Sequence, residues 1–230
     1  MKIHGLQKMT LLDFPGRVAC TVFFGGCDMR CPFCHNAELL DGSARPVMTE
    51  EELLQFLKKR KSLLDGVAFT GGEPLLQKDL PELAARIREI GYPIKLDTNG
   101  NHPDQLDRMI RGGLVQYVAM DIKNSPERYA ETAGLETLDL EPVRASVRML
   151  MEGSTEYEFR TTAVAELHDD RSFEQIGQWI RGARRYYLQK FTDRDTVPFE
   201  GLHAPDDEQM RRWAQIAGKY VPATSLRGVD

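Results

Sequence analysis

The sequence predicts an α/β domain built on a parallel sheet. Short runs rich in β-branched and aromatic residues alternate with longer helical patterns about six times, and no break in composition divides the 230 residues. Such alternation is typical of strand–helix–strand crossovers, which build parallel sheets. Six units are too few for a closed eight-stranded barrel and fit a partial barrel or a doubly wound sheet. We expect one domain over 1–230, with a core at about 18–191, an N-terminal extension at 1–17 and a C-terminal loop and helix at 192–230.

The strands and helices are expected in strict alternation. The run "VACTVFF" (18–24) is apolar enough for a buried strand, and the helix at 49–64 begins at Thr49, which forms a capping box with Glu52. The helix at 79–91 begins at Asp79 and ends at Gly91. The remaining strands are expected at 66–70, 94–98, 115–123, 157–164 and 186–191, the remaining helices at 103–113, 139–153, 172–183 and 206–220, and a loop at 192–207.

The composition excludes several classes of protein. Residues 1–20 lack the features of a secretory signal, and the longest apolar run, 18–24, is far shorter than the roughly 20 residues that span a bilayer. We therefore expect a cytoplasmic protein with no membrane association. A net charge of −5 argues against a broad nucleic-acid-binding surface. In a reducing compartment, clustered cysteines indicate a metal or redox site rather than disulfides.

Three of the four cysteines, Cys27, Cys31 and Cys34, lie within eight residues. Their spacing would place them on one face of a helix, where they could be ordinary core residues. Pro32 would break such a helix, and the glycine pair at 25–26 favours a turn just before it. The segment is therefore predicted to be a loop after the first strand, and three thiols in one loop indicate a metal centre.

The type of metal centre stays open on the residues alone. Structural zinc takes four protein ligands, so His35 or Cys20 would have to complete the set. His35 directly follows Cys34, which is poor geometry for one tetrahedron, and Cys20 lies within the predicted strand. Iron–sulfur clusters are also held by cysteines, usually four, and three would leave one iron open to a substrate or cofactor.

The cysteine loop resembles that of the radical S-adenosylmethionine (SAM) enzymes. It has the spacing Cys27-x-x-x-Cys31-x-x-Cys34, with Phe33 just before the last cysteine. The resemblance implies a partial (β/α)6 barrel and one [4Fe–4S] cluster whose open iron binds the amino and carboxylate groups of SAM. It further implies that the reduced cluster cleaves SAM to a 5′-deoxyadenosyl radical that abstracts hydrogen. Since Cys34 is the last cysteine in the sequence, a second cluster is not expected.

The segment "TGGEP" (70–74) directly follows the second predicted strand. Taken alone it would be a simple turn, although two glycines allow a close backbone approach and Glu73 can accept from an ammonium group. After the cysteine loop, it resembles the family's methionine-binding motif. The resemblance implies that Gly71, Gly72 and Glu73 lie at the amino end of SAM.

Two further strand ends carry "DTNG" (97–100) and "DIK" (121–123). Alone, the first would be a turn and the second a surface ion pair. Together they resemble the glycyl-radical-enzyme activases, which implies a monovalent cation beside SAM near Asp97 and Asp121, and Lys123 as the partner of its carboxylate. The cofactor-binding residues implied by resemblance are Phe33, Gly71, Gly72, Glu73, Asp97, Thr98, Asn99, Asp121, Lys123 and Arg160.

The segments "TLLDFPGRVACTVFFGGC" and "YYLQKF" resemble one branch of these activases, the activating proteins of anaerobic ribonucleoside-triphosphate reductase. The implied partners are a glycyl radical enzyme, first of all that reductase, and a flavodoxin- or ferredoxin-like electron donor. Alternative targets are a formate-lyase-like enzyme, a small molecule or an RNA base. An alternative of a different class is a zinc-binding module without catalysis.

Overall fold

From residue 66 to residue 190 strands and helices alternate as the sequence predicts, except for an additional short helix at Tyr129–Thr132. In the computed structural model, which describes residues 1–229, the strands are β1 (Lys2–Ile3), β2 (Gly5–Thr10), β3 (Ala19–Phe24), β4 (Met48–Thr49), β5 (Gly66–Gly71), β6 (Ile94–Thr98), β7 (Tyr117–Asp121), β8 (Glu156–Ala163), β9 (Tyr186–Lys190) and β10 (Thr224–Arg227). The α-helices are α1 (Glu50–Lys59), α2 (Leu80–Ile90), α3 (Pro103–Arg111), α4 (Tyr129–Thr132), α5 (Glu141–Glu152), α6 (Asp170–Trp179) and α7 (Asp207–Gly218).

The main sheet is an open, mostly parallel partial barrel. Within residues 1–229 its strand order is β10-β9-β8-β7-β6-β5-β3-β2, and the strands are parallel except for β2, which runs antiparallel to β3. A second, small sheet pairs β1 with β4. The predicted partial barrel of parallel strands is thereby confirmed. Because the central strands run parallel, their carboxyl ends meet at one rim, where ligands bind in such folds.

Local sequence signals place several helix ends. Thr49 and Glu52 form the predicted capping box, and Gly91 ends α2 in the left-handed conformation with φ 98°. Three details differ from the prediction. Helix α6 spans Asp170–Trp179 instead of 172–183. Helix α1 stops at Lys59 instead of near residue 64, because residues 60–64 close into a turn on the carbonyl of Arg60. Asp79 precedes α2, but its side chain makes no capping hydrogen bond.

The sheet extends beyond the predicted core on both sides. Strand β2 covers the outer edge of β3, and β10 pairs in parallel with β9, Thr224 lying opposite Tyr186. The sequence of β2, "GLQKMT", is polar and half-exposed, and β10 is only four residues long. Neither has the apolar run that identifies a central strand, so their pairing depends on contacts distant in sequence.

Strand alternation separates two kinds of side chain. In β8, Tyr157, Phe159 and Thr161 are buried on the face covered by helices, whereas Arg160 lies on the inner face of the barrel. In the strand register, Asp121 of β7 lies directly opposite Arg160. Charged groups are thus directed into the barrel near its carboxyl-end rim. Among the described residues, no helix has the length and apolar content needed to span a bilayer.

Candidate active site

The cysteine loop follows β3 and is held by backbone hydrogen bonds. The N–H of Gly26 donates to the carbonyl of Leu39 at 2.7 Å, and the N–H of Arg30 donates to the carbonyl of Ala133 at 2.8 Å. Between Phe24 and the short 3₁₀ turn at 37–39, the chain contains no helix. The predicted loop is therefore confirmed, and its conformation is fixed by the neighbouring segments.

The three clustered thiols are buried or half-buried in this loop. Burial raises the pKa of Cys27 to about 12, and burial also raises the pKa values of Cys31 and Cys34 above that of an ordinary thiol. Such thiols are protonated at neutral pH, so a metal centre bound by them would displace their protons.

The donor set fits an iron–sulfur cluster better than a single ion. Within residues 1–229, no group of three or more histidine, cysteine, aspartate or glutamate side chains is arranged to hold one metal ion. A single zinc draws its sulfurs to about 2.3 Å from one point. In a [4Fe–4S] cluster, by contrast, each cysteine binds a different iron, so the sulfurs lie farther apart. The loop contains three cysteines, and Cys20 lies within β3, fully buried.

The segment that follows β5 packs backbone against backbone on the cysteine loop. The N–H of Glu73 donates to the carbonyl of Gly26 at 2.7 Å. A Cβ atom on Gly72 would lie 2.0 Å from the same carbonyl oxygen, and one on Gly71, whose φ is 129°, would lie 2.3 Å from the backbone of Phe24. Only glycine fits at these two positions, because backbone atoms have no rotamer through which to move away.

Glu73 connects this segment to the end of β6. Its carboxylate accepts hydrogen bonds from the N–H of Leu75 at 3.0 Å, the hydroxyl of Thr98 at 2.9 Å and the N–H of Asn99 at 2.7 Å. Burial raises the pKa of Glu73 to about 7, although these hydrogen bonds favour the ionised form. The side chain thus fixes the "DTNG" turn as well as lying at the predicted cofactor site.

Two aspartates and three cationic side chains form a compact ionic cluster on the inner face of the barrel. Arg160 donates to Asp121 at 2.9 Å and lies 3.4 Å from Asp97, and Lys123 donates to Asp121 at 2.9 Å. Lys95 contacts the other oxygen of Asp97. Burial alone would raise the pKa of Asp121, but the charges of Arg160 and Lys123 outweigh it and hold the pKa at about 2. The Asp121 carboxylate is therefore ionised.

A second polar group, which the sequence does not predict, ties the cysteine loop to the "DTNG" segment. Asp28 accepts hydrogen bonds from the side-chain amides of Asn99 at 2.7 Å and Asn101 at 2.6 Å, and His102 lies 3.1 Å away. Burial would raise the pKa of Asp28, but these three partners hold it well below its usual range. Asp28 does not directly follow a strand, so only its position next to Cys27 could have identified it as a site residue.

One open pocket brings the predicted site residues together. Every predicted ligand and cofactor-binding residue lines it: Cys27, Cys31, Phe33, Cys34, Gly71, Gly72, Glu73, Asp97, Thr98, Asn99, Asp121, Lys123 and Arg160. The individual roles of these residues stay predictions.

Some lining residues were not predicted. They are Met29, His35, Asn36, Leu40, Thr70 and Thr162. Thr70 and Thr162 lie at strand ends on the inner face, so alternation could have identified them. His35 stacks on Phe191 and contacts the carbonyl of Thr192 at 2.7 Å, so it joins the cysteine loop to the segment after β9.

Comparison with known proteins adds three likenesses. The family model described as "Radical SAM superfamily" matches residues 21–180. A protein of Methanocaldococcus jannaschii, provisionally named as a glycyl-radical enzyme activating enzyme, is 30% identical over 237 residues, covering 99% of this chain and 96% of that protein. The 7-carboxy-7-deazaguanine synthase of Thermococcus kodakarensis is 27% identical over 225 residues, covering 89% of this chain and 84% of the synthase.

A solved structure supports the fold. A domain of the pyruvate-formate lyase-activating enzyme from Bacteroides vulgatus matches with a TM-score of 0.58 and 19% identity. The match covers 71% of this chain and 99% of that domain. At this identity the likeness concerns the path of the chain alone.

Proposed function

Because the chain belongs to the radical SAM superfamily, we propose that it is an activating enzyme that installs a glycyl radical on a larger partner enzyme. The relative from Methanocaldococcus jannaschii supports this reaction, since the match runs over nearly the whole of both chains. The observation that carries the proposal is the meeting of the three cysteines and the strand-end residues in one pocket.

The loop cysteines Cys27, Cys31 and Cys34 would hold one [4Fe–4S] cluster, with SAM beside it. When bound, the cluster supplies an electron that cleaves the bond between the SAM sulfur and C5′, giving methionine and a 5′-deoxyadenosyl radical that takes a hydrogen atom. The chain's own residues position and shield these groups. Backbone hydrogen bonds to neighbouring segments hold the cysteine loop in place.

Different residues of the pocket would contact different parts of the SAM molecule. Gly71, Gly72 and Glu73 would lie at its amino end. The two glycines let this segment pack against the backbone of the cysteine loop, and three hydrogen bonds hold the Glu73 side chain in place. Lys123 would pair with the SAM carboxylate. The Asp121 carboxylate supports this role, because burial would otherwise lower the pKa of Lys123 and Asp121 raises it instead, keeping the ammonium charged. Asp97, Thr98, Asn99 and Arg160 complete the pocket wall.

We propose anaerobic ribonucleoside-triphosphate reductase as the partner, on the branch resemblance of the N-terminal segment and "YYLQKF". A flavodoxin- or ferredoxin-like protein would supply the electron, and the reducing cytoplasm would keep the thiols available for iron. The family resemblance, and not the residues themselves, predicts a monovalent cation near Asp97 and Asp121.

A second candidate is a radical reaction on a small molecule. The likeness to a 7-carboxy-7-deazaguanine synthase over 89% of this chain favours it. The proposed activase predicts that the hydrogen atom comes from a protein glycine, whereas the alternative predicts a free substrate. A formate-lyase-like partner differs only in the identity of the protein target.

The test begins with anaerobic reconstitution and metal analysis. We expect about four irons and four sulfides per chain, with no stoichiometric zinc. The reduced protein is then mixed with SAM and candidate glycyl radical enzymes, and electron paramagnetic resonance is recorded. A glycyl radical on the reductase would support the proposal. A glycyl radical on another enzyme only would show that the partner is wrong. Stoichiometric zinc in place of iron would refute the assignment of this protein as a radical SAM enzyme.

A further inference from the structure

The two aspartates at the predicted cation site already have cationic partners on all of their oxygens. Asp97 contacts Lys95 through Oδ1 and lies 3.4 Å from Arg160 through Oδ2. Asp121 accepts from Arg160 through Oδ1 and from Lys123 through Oδ2, both at 2.9 Å. A monovalent metal ion needs oxygen lone pairs directed at it, and here these four oxygens face N–H donors.

Lys95 is the unusual member of this group. It lies in β6 between Ile94 and Leu96, both of which are fully buried, and it is itself only 2% exposed. A buried ammonium is costly unless it is paired, and strand alternation directs Lys95 to the same face as Asp97, where the two groups meet. The pair is therefore built into the strand and does not depend on a flexible surface side chain.

The charges of the cluster also leave no deficit for a metal ion to fill. Two carboxylates, of Asp97 and Asp121, face three cationic side chains, so these five groups carry one net positive charge beside the pocket. The neighbouring carboxylate of Glu158 has its own cationic partner in Arg227. One positive charge suits the single carboxylate of SAM. A further cation would add like charge to a partly buried site, where repulsion is stronger than at the open surface because screening by water is weaker.

We propose that Lys95 supplies, from within the chain, the positive charge that a monovalent cation would bring to Asp97. Binding of SAM to this protein then does not depend on K⁺ or Na⁺. The inference rests on the proposed function, because it takes SAM to bind beside Asp97. It also assigns a role to a residue that lies behind the pocket wall and does not line it.

The test measures SAM binding to the anaerobically reconstituted protein at one ionic strength, with K⁺, Na⁺ or tetramethylammonium as the cation. We expect dissociation constants that agree within about two-fold. A preference of about ten-fold or more for K⁺ or Na⁺ over tetramethylammonium would overturn the inference. No SAM binding in any salt would overturn the proposed function and the inference with it.

Substitution of Lys95 gives the converse test. In Lys95→Met, SAM affinity should fall at least about ten-fold in tetramethylammonium and recover in K⁺ or Na⁺, because a small ion can now reach Asp97. Lys95→Arg should keep the salt-independent binding. The exposed Lys58→Met is the matched control and should behave as the wild type. A Lys95→Met protein that binds SAM like the wild type in tetramethylammonium would refute the inference; the wild-type salt comparison stands even where this variant fails to fold.

Discussion

Replacement of Gly72 by alanine should damage the cluster site through one added methyl group. The new Cβ would lie 2.0 Å from the carbonyl oxygen and 2.6 Å from the carbonyl carbon of Gly26, where ordinary contacts begin near 3.4 Å. Both neighbours are backbone atoms, so no side-chain rotation can relieve the clash. The segment at 71–73 and the cysteine loop must therefore separate by about 1 Å or more.

The cost follows from that separation. Overpacking of this kind costs about 1–3 kcal/mol, and the hydrogen bond from Glu73 to Gly26, now 2.7 Å long, would be lost at about 1 kcal/mol more. For a domain of this size, about 2–4 kcal/mol lowers the melting temperature by about 4–16 °C. Because Cys27 adjoins Gly26, the same displacement moves Cys27, the first of the three proposed cluster ligands.

The assay combines thermal unfolding of the protein without iron and iron content after anaerobic reconstitution. Gly218→Ala is the matched control: it adds the same methyl group, at the end of α7, where nothing lies within 4 Å. We expect the control to bind a full cluster and to be as stable as the wild type or slightly more so. Wild-type stability and iron content in Gly72→Ala would show that the close backbone approach does not position the cluster loop.

Three further predictions concern single side chains. Cys31→Ala should lose the cluster while Cys20→Ala keeps it, since Cys20 is buried within β3; iron analysis decides, and cluster loss in both would return Cys20 to the ligand set. Lys123→Ala should bind SAM about ten-fold or more weakly with its iron content intact, and unchanged affinity in equilibrium dialysis would exclude it as the carboxylate partner. Glu73→Gln should alter the pH dependence of unfolding: burial raises the pKa of Glu73 to about 7 from 4.5, so the folded protein retains a proton that the unfolded chain releases. Wild-type stability should therefore fall relative to Glu73→Gln as the pH rises from about 5 to about 7, and a constant difference in melting temperature would contradict this assignment.

The site could be predicted from the sequence because its residues follow strands. In a parallel sheet the carboxyl ends converge, so motifs separated by tens of residues meet at one rim. Glu73, Asp97, Asp121 and Lys123 each lie within two residues of a strand end, and all of them line the pocket. The positions of the strands in the sequence were sufficient to predict that these residues lie near one another. They were not sufficient to predict which side chains form hydrogen bonds or ion pairs.

The contacts within the site were not predictable in the same way. Lys95 lies in mid-strand, and only its two-residue spacing from Asp97 indicated that the two could pair. Asp28 meets Asn99 and Asn101 through a loop whose path depends on several distant backbone hydrogen bonds. Short-range pattern carries no information about such partners.

The edges of the sheet illustrate the same limit. Strands β2 and β10 have polar or very short sequences, and each pairs with a strand whose own apolar run was evident. Edge strands need only one hydrogen-bonded neighbour and one covered face, so they lack the continuous apolar run of a central strand.

The most direct test of the central claim is cleavage of SAM by the reconstituted, reduced protein. With a full complement of about four irons per chain, we expect 5′-deoxyadenosine and methionine in equal amounts, and neither product from Cys31→Ala. Formation of these products would establish the chemistry that the three cysteines and the strand-end pocket indicate. A fully loaded, reduced protein that forms no 5′-deoxyadenosine, alone or with any candidate partner, would contradict it.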